Sequence, residues 1–224
     1  MFLSKVSFQS SEQARQLLAS FGGKGVYSSH QLLWQLFTSD DARSFLFRQE
    51  QDAAGKSIFY VQSSRQPDVD SSVFNVQSKE FLPKLEAGQR LSFKLRANPV
   101  ISTKDEQGKA KRNDVMMHAK KQAKVNGIQD SAEIQQLMEQ AAQRWLATPE
   151  RLGAWGITLD VLPNIENYQQ HRSKKSKDRM IQFSSVDYQG ILTVQDPIRF
   201  LTQLESGFGK AKALGCGLML IKPI

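Results

Sequence analysis

At 224 residues, 40% of them hydrophobic, the chain has a near-ordinary globular composition and room for one large domain or two small ones. No apolar run approaches the roughly 20 residues that cross a bilayer, and the single cysteine, Cys216, rules out an internal disulfide. The net charge of +8 is concentrated: residues 104–124 carry seven Lys or Arg against three Asp or Glu, and residues 172–179 carry five against one.

In chain order, Met1-Phe-Leu-Ser-Lys-Val-Ser-Phe8 alternates apolar and polar side chains and predicts a strand. An export signal needs a longer apolar stretch and a small-residue cleavage site, so a reducing cytoplasm is the expected compartment. A glycine loop, Gly22-Gly23-Lys24-Gly25, precedes a helix that Ser28 or Ser29 can cap, with Leu32, Leu33, Leu36 and Phe37 on its buried stripe. Phe45-Leu-Phe47 and Ser57–Val61 read as strands joined by the Ala54-Gly55 turn. Pro67 and the polar stretch to Ser72 break regular structure. Gln89–Pro99 restores it as a strand with Leu91, Phe93 and Leu95 on one face.

A basic connector is expected next, then a helix over Ala132–Leu146 with Ile134, Met138 and Trp145 on one side. Thr148-Pro149-Glu150 ends that helix and can start a short one. Ile157–Leu162, Met180–Val186 and Gln189–Val194 read as strands, and Asp196-Pro197 opens a further helix. The loop Gly207-Phe-Gly-Lys-Ala-Lys-Ala-Leu-Gly-Cys-Gly217 leads into a final strand, Leu218–Ile221. The expected fold class is α+β, as two tandem ferredoxin-like (RRM-like) lobes divided into 1–86 and 87–224.

Two focused basic segments on a neutral body are the pattern of a polyanion binder, and charge runs also occur as solvated loops. The candidate contacts are Lys109, Lys111, Arg112, Lys120 and Lys121 in the first segment. In the second they are Arg172, Lys174, Lys175, Lys177 and Arg179. No aromatic residue interleaves them, which favours a folded phosphate backbone over stacked bases.

No His-x-x-x-His or Cys-x-x-Cys pair and no tight carboxylate cluster is present, so neither a metal nor another cofactor is expected. Self-cleavage of RNA through its own 2′-hydroxyl needs alignment and one proton transfer, which an imidazole suits. Of His30, His118 and His171, His30 is the best candidate. It is expected in the first turn of its helix, where amide donors and Lys24 could hold a phosphate. Tyr27 could stack on a base or hydrogen-bond nearby. The same pattern also suits a surface histidine and a packing tyrosine beside a core helix. Gly207 and Gly209, with Lys210 and Lys212, either bring backbone amides to a phosphate or only allow a tight path into the last strand.

Five ordered blocks carry a family resemblance: Met1-Phe-Leu-Ser-Lys-Val6, Tyr27-Ser-Ser-His-Gln-Leu-Leu-Trp-Gln-Leu-Phe37, Phe45-Leu-Phe-Arg48, Phe93-Lys-Leu-Arg-Ala-Asn-Pro99 and the glycine loop through Leu218. Together they resemble the CasE family across nearly the whole chain. The resemblance implies a metal-independent endoribonuclease that cuts precursor CRISPR RNA at the base of each repeat stem-loop. It implies 2′,3′-cyclic phosphate and 5′-hydroxyl ends, and a product retained with other Cascade subunits. The family's catalytic histidine falls on His30 and its tyrosine on Tyr27, and the segment Arg172–Arg179 would lie against the RNA stem. No membrane partner is expected, and the protein should be monomeric outside that complex.

Overall fold

The computed structural model describes residues 1–21, 26–68, 72–104, 107–176 and 179–224, without the side chains of residues 21, 26, 27, 173–176 and 179. The alternating start becomes strand β1 (Phe2–Phe8), with Ser4 and Val6 buried on one side. Helix α1 (Glu12–Phe21) follows, which its sparse apolar pattern does not announce. Ser11 secures it, accepting the Ala14 N–H at 3.1 Å and donating to the Ser72 carbonyl at 2.7 Å.

Helix α2 (Val26–Leu33) runs into a single 3-10 turn, Trp34–Leu36. Strands β2 (Phe45–Gln51), β3 (Ser57–Ser63) and β4 (Phe74–Glu80) complete an antiparallel sheet in the order β2-β3-β1-β4. Residues two apart share a sheet face. Phe45 and Phe47 therefore join Phe59, Val61, Val6 and Phe74 in one core with the apolar side of α2.

The start of α2 differs from expectation. The helix begins before Ser28 and Ser29, so neither caps it; the Ser29 hydroxyl instead donates to Gln49 Oε1 at 2.8 Å. His30 consequently lies in the last turn rather than the first.

In the second half, β5 (Arg90–Ala97) buries Leu91, Phe93, Leu95 and Ala97 at alternate positions. The stretch expected as a connector is instead ordered. Strands β6 (Val100–Lys104) and β7 (Ala110–Asp114) pair antiparallel, and Asp114 caps helix α3 (Val115–Val125) by accepting from Met117 N–H at 2.7 Å. Its many lysines mask a short apolar stripe of Val115, Met116 and Ala123.

Helices α4 (Ser131–Leu146) and α5 (Pro149–Trp155) precede β8 (Ile157–Leu159), β9 (Asn164–Ser176), β10 (Arg179–Val194), α6 (Pro197–Ser206) and β11 (Met219–Pro223). The sheet order is β11-β5-β10-β8, with β9 on β10. The two strands expected within 180–194 are one. Asp187, which suggests an interruption, is held in a two-pronged ion pair by Arg96 at 2.8 Å, and Tyr188 is buried with its hydroxyl on the Ala142 carbonyl.

The fold is thus α+β with antiparallel sheets. The expected 1–86 and 87–224 lobes follow chain order, whereas compactness returns two later segments to the first unit. That unit comprises Met1–Lys84, His171–Gln182 and Leu204–Leu218; the second comprises Leu85–Gln170, Phe183–Gln203 and Met219–Ile224. No helix among the described residues is long and apolar enough to cross a membrane.

Candidate active site

His30 leaves the last turn of α2 into an aromatic setting. The indole Nε1–H of Trp34, one turn further on, donates to His30 Nε2 at 3.1 Å. The rings of Phe45, Trp34 and Phe47 have centroids 5.9, 6.1 and 6.4 Å from the imidazole. A ring nitrogen that accepts a hydrogen bond carries no proton, so this contact describes a neutral imidazole with its proton on Nδ1. Burial, and then the positive charge of Arg43, hold the His30 pKa below its ordinary value of 6.5. Both effects disfavour the charged ring. The half-buried His30 is therefore neutral at neutral pH, and Nε2, its basic nitrogen, can take up a proton once the Trp34 N–H gives way.

The glycine loop is the other wall of this neighbourhood. Its 3-10 turn, Lys212–Leu214, packs against α2 and β2. Gly207 has φ +76°, and a Cβ there would stand 2.6 Å from Leu46 Cδ1. Gly215 has φ +80°, and a Cβ there would stand 3.2 Å from Phe47 Cε2. Glycine at these two places lets the loop close onto β2, so for them the packing role is real. Gly209 also has positive φ, +75°.

Lys212 Nζ donates to the Ser206 carbonyl at 2.5 Å. Burial lowers its pKa, and the positive charges of Arg43 and Lys210 lower it further. Arg43 thus acts electrostatically on both His30 and Lys212. His30 and three cations, brought in from two distant parts of the sequence, share one electropositive neighbourhood, and like charges held together favour an anion between them. Arg43 is the residue that sequence reasoning missed. It stands alone in Asp40-Asp-Ala-Arg-Ser44, outside both basic runs, and no spacing marks it.

The other expected contacts are placed less closely. Tyr27 belongs to α2, but its side chain, like Lys24 and Lys177 entirely, lies outside the described residues. Lys174 and Lys175 lie in β9 and Arg179 in β10, also without described side chains, and Arg172 is exposed on β9. Lys111 and Arg112 are exposed on β7 and, as neighbours on a strand, point to opposite faces, with Lys109 just before them. Lys120 and Lys121 are on α3, half-buried and exposed respectively. These five belong to the second compact unit and His30 to the first. Among the described residues no three His, Cys, Asp or Glu side chains gather as a metal ion would require.

A family model described as CRISPR associated protein matches residues 1–223. The chain belongs to that family. One relative of this CRISPR associated protein is "CRISPR system Cascade subunit CasE" of Escherichia coli (strain K12), 32% identical over 227 residues and covering 100% of both chains. Another is "CRISPR-associated endoribonuclease Cse3" of Thermus thermophilus, 32% identical over 173 residues, covering 74% of this chain and 73% of the relative. A solved structure of Thermus thermophilus Cse3 bound to an RNA representing a pre-cleavage complex superposes with TM-score 0.69 at 27% identity, covering 99% and 98% of the two chains. For a CRISPR associated protein so placed, the convergence of His30, Arg43, Lys210 and Lys212 is the chemically distinctive feature of the first unit.

Proposed function

We propose that this chain is a CasE-type endoribonuclease that cuts precursor CRISPR RNA at the base of the repeat stem-loop. The observation that carries the reading is a neutral imidazole, oriented by Trp34, beside two cations that act on it or on each other. The CasE and Cse3 names of its relatives, and the RNA bound to one of them, supply the substrate class.

The chemistry needs no added water. The RNA 2′-oxygen attacks the adjacent phosphorus; the O2′–P bond forms as the P–O5′ bond breaks. The 2′-hydroxyl gives up a proton and the departing 5′-oxygen gains one, leaving a 2′,3′-cyclic phosphate and a 5′-hydroxyl. His30 moves that proton, and Tyr27 supports or orients the reacting strand. Arg43 and Lys212 offset the charge that builds on the phosphate oxygens. The reading gives every one of these roles to a side chain and none to a metal ion.

Both sheets support the reading of two ferredoxin-like lobes. Numbering only the four strands on the main path of each sheet, which leaves out β6, β7 and β9, β4-β1-β3-β2 and β11-β5-β10-β8 follow the same 4-1-3-2 order with antiparallel neighbours. The division into 1–86 and 87–224 is retained as the order in which the chain supplies them. The RNA stem would be held through phosphates by Lys24, Lys109, Lys111, Arg112, Lys120 and Lys121. The segment Arg172–Arg179, with Lys174, Lys175 and Lys177, would add a second track, and Gly207, Gly209 and Lys210 would approach the strand near the cut. The cut RNA would stay bound within Cascade in the cytoplasm, the free protein being a monomer.

The test is cleavage of a repeat hairpin in EDTA by wild type and by His30→Ala. Wild type should release a cyclic-phosphate product, and the variant should cut roughly 100- to 10,000-fold more slowly while still binding the hairpin. A hairpin bound but left uncut by wild type would make this an RNA-holding subunit.

A further inference from the structure

Helix α2 has only eight residues, and its buried stripe contains a polar side chain. Ser29, Leu32 and Leu33, spaced three and four apart, are 6%, 4% and 0% exposed. A serine thus occupies a position where the pattern calls for an apolar residue. His30 follows it, about 100° further round the helix, at the half-buried border of the stripe. A small rotation of α2 about its axis would carry the imidazole into the core or out of it.

The leucines alone do not set that rotation, because apolar contact is non-directional. A hydrogen bond constrains both distance and angle. On β2, Phe45, Phe47 and Gln49 alternate and so share the face that meets α2. The two phenylalanines place their rings beside the imidazole. Gln49 meets Ser29 instead, accepting from its hydroxyl at Oε1 over 2.8 Å.

The same amide reaches onward. Its Nε2 donates to Ser57 Oγ at 3.0 Å. Ser57 stands opposite Gln51 in the β2–β3 register, so Gln49 contacts it diagonally on one sheet face. The three side chains tie α2 to the edge strand β2 and through it to β3. A hydroxyl both donates and accepts, so the link holds for either orientation of the amide. It grips the helix one residue from His30.

We propose that the Ser29–Gln49–Ser57 chain sets the rotation of α2 on the first sheet, with Ser29 and Gln49 as positioning residues for His30. The inference rests on the endoribonuclease reading and deepens it. Ser29 and Gln49 act through the helix, while the proton chemistry stays with His30. A polar bond within an apolar stripe selects one helix orientation among several that would bury the leucines equally well.

The experiment uses the full chain as wild type, Ser29→Ala, Gln49→Leu and the double variant. None of the substitutions changes a charge, so movement of the His30 titration reports its surroundings. Each single variant should cut a saturating hairpin about 2- to 12-fold more slowly in a single turnover, the effect of one neutral hydrogen bond. With the tether gone the imidazole becomes more exposed. Its titration, followed by NMR on RNA-free protein, should move up toward 6.5. The double variant separates positioning from stability. Replacing both partners of a buried hydrogen bond by apolar groups is nearly neutral, so it should melt close to wild type, yet its rate and His30 titration should stay displaced. Recovery of rate and titration together with stability in the double variant overturns the proposal, as does a wild-type titration in Ser29→Ala. Because the titration is read without RNA, it tests the positioning role even if wild type releases no cyclic phosphate, the result that would sink the nuclease reading alone.

Discussion

Trp34 and His30 stand four residues apart, one helical turn, and the Trp34 indole N–H donates to His30 Nε2 at 3.1 Å although the α-helix has already tightened into a 3-10 turn at Trp34. The contact fixes the ring orientation and the position of its proton. Trp34→Phe keeps the aromatic packing and removes only the donor. Single-turnover cleavage should fall about 2- to 12-fold, the range for one neutral hydrogen bond, with the melting temperature little changed. An unaltered rate would show that the indole has no part in presenting the imidazole.

The pH profile follows from the depressed His30 pKa. A base works when deprotonated, so cleavage should rise with pH through the His30 pKa and level off. Because burial and Arg43 lower that pKa, the midpoint should lie below the ordinary 6.5. Arg43→Gln removes the cationic part of the effect and leaves burial in place. Its midpoint should move to higher pH, toward 6.5 without passing it. The check is the single-turnover rate from pH 4.5 to pH 8, with hairpin saturation held at each point.

Gly207→Ala addresses the loop rather than the chemistry. The substitution places a Cβ at φ +76° and within 2.6 Å of Leu46 Cδ1. Left-handed backbone at a non-glycine residue together with overpacking should destabilise the protein by about 1–3 kcal/mol. Urea unfolding should report a lower midpoint with an unchanged slope. Gly88→Ala has a comparable φ of +83° but meets nothing within 4 Å, and it should cost less.

The basic segment 172–179 should engage phosphates if it lies along the RNA stem. Replacing Arg172, Lys174, Lys175, Lys177 and Arg179 by alanine should weaken hairpin binding. It should also flatten the dependence of log K on log salt by roughly 0.7–0.9 for each phosphate that is no longer neutralised. Binding titrations between 50 and 300 mM salt measure both. A weaker complex with the same salt slope would assign the segment to folding instead.

Sequence pattern and structure agree where burial is periodic. β5 carries Leu91, Phe93, Leu95 and Ala97 at every second position, and the shorter alternations Phe45 with Phe47 and Phe59 with Val61 mark β2 and β3. Pattern fails where charge or polarity crowds the signal. α1 and α3 bury too few side chains to stand out, and the single strand β10 looks broken at Asp187 because its partner Arg96 lies 91 residues away. The candidate site is divided in the same manner. His30 was legible from residue type and motif, although its place in the helix was not. Arg43 was invisible, because its importance comes from tertiary neighbours on α2 and in the glycine loop. Lys212 was visible as a residue, but not as a neighbour of the site.

The return of Leu204–Leu218 to the first compact unit sets an order of events during synthesis. The histidine-bearing helix is made early, yet the lysine and glycines that close over it come almost two hundred residues later. A nascent chain that stops short of Leu204 would have Arg43 beside the imidazole but neither Lys210 nor Lys212. Under the endoribonuclease reading, competence to cut would then arise only once Leu204–Leu218 has been made and has folded back onto the first unit.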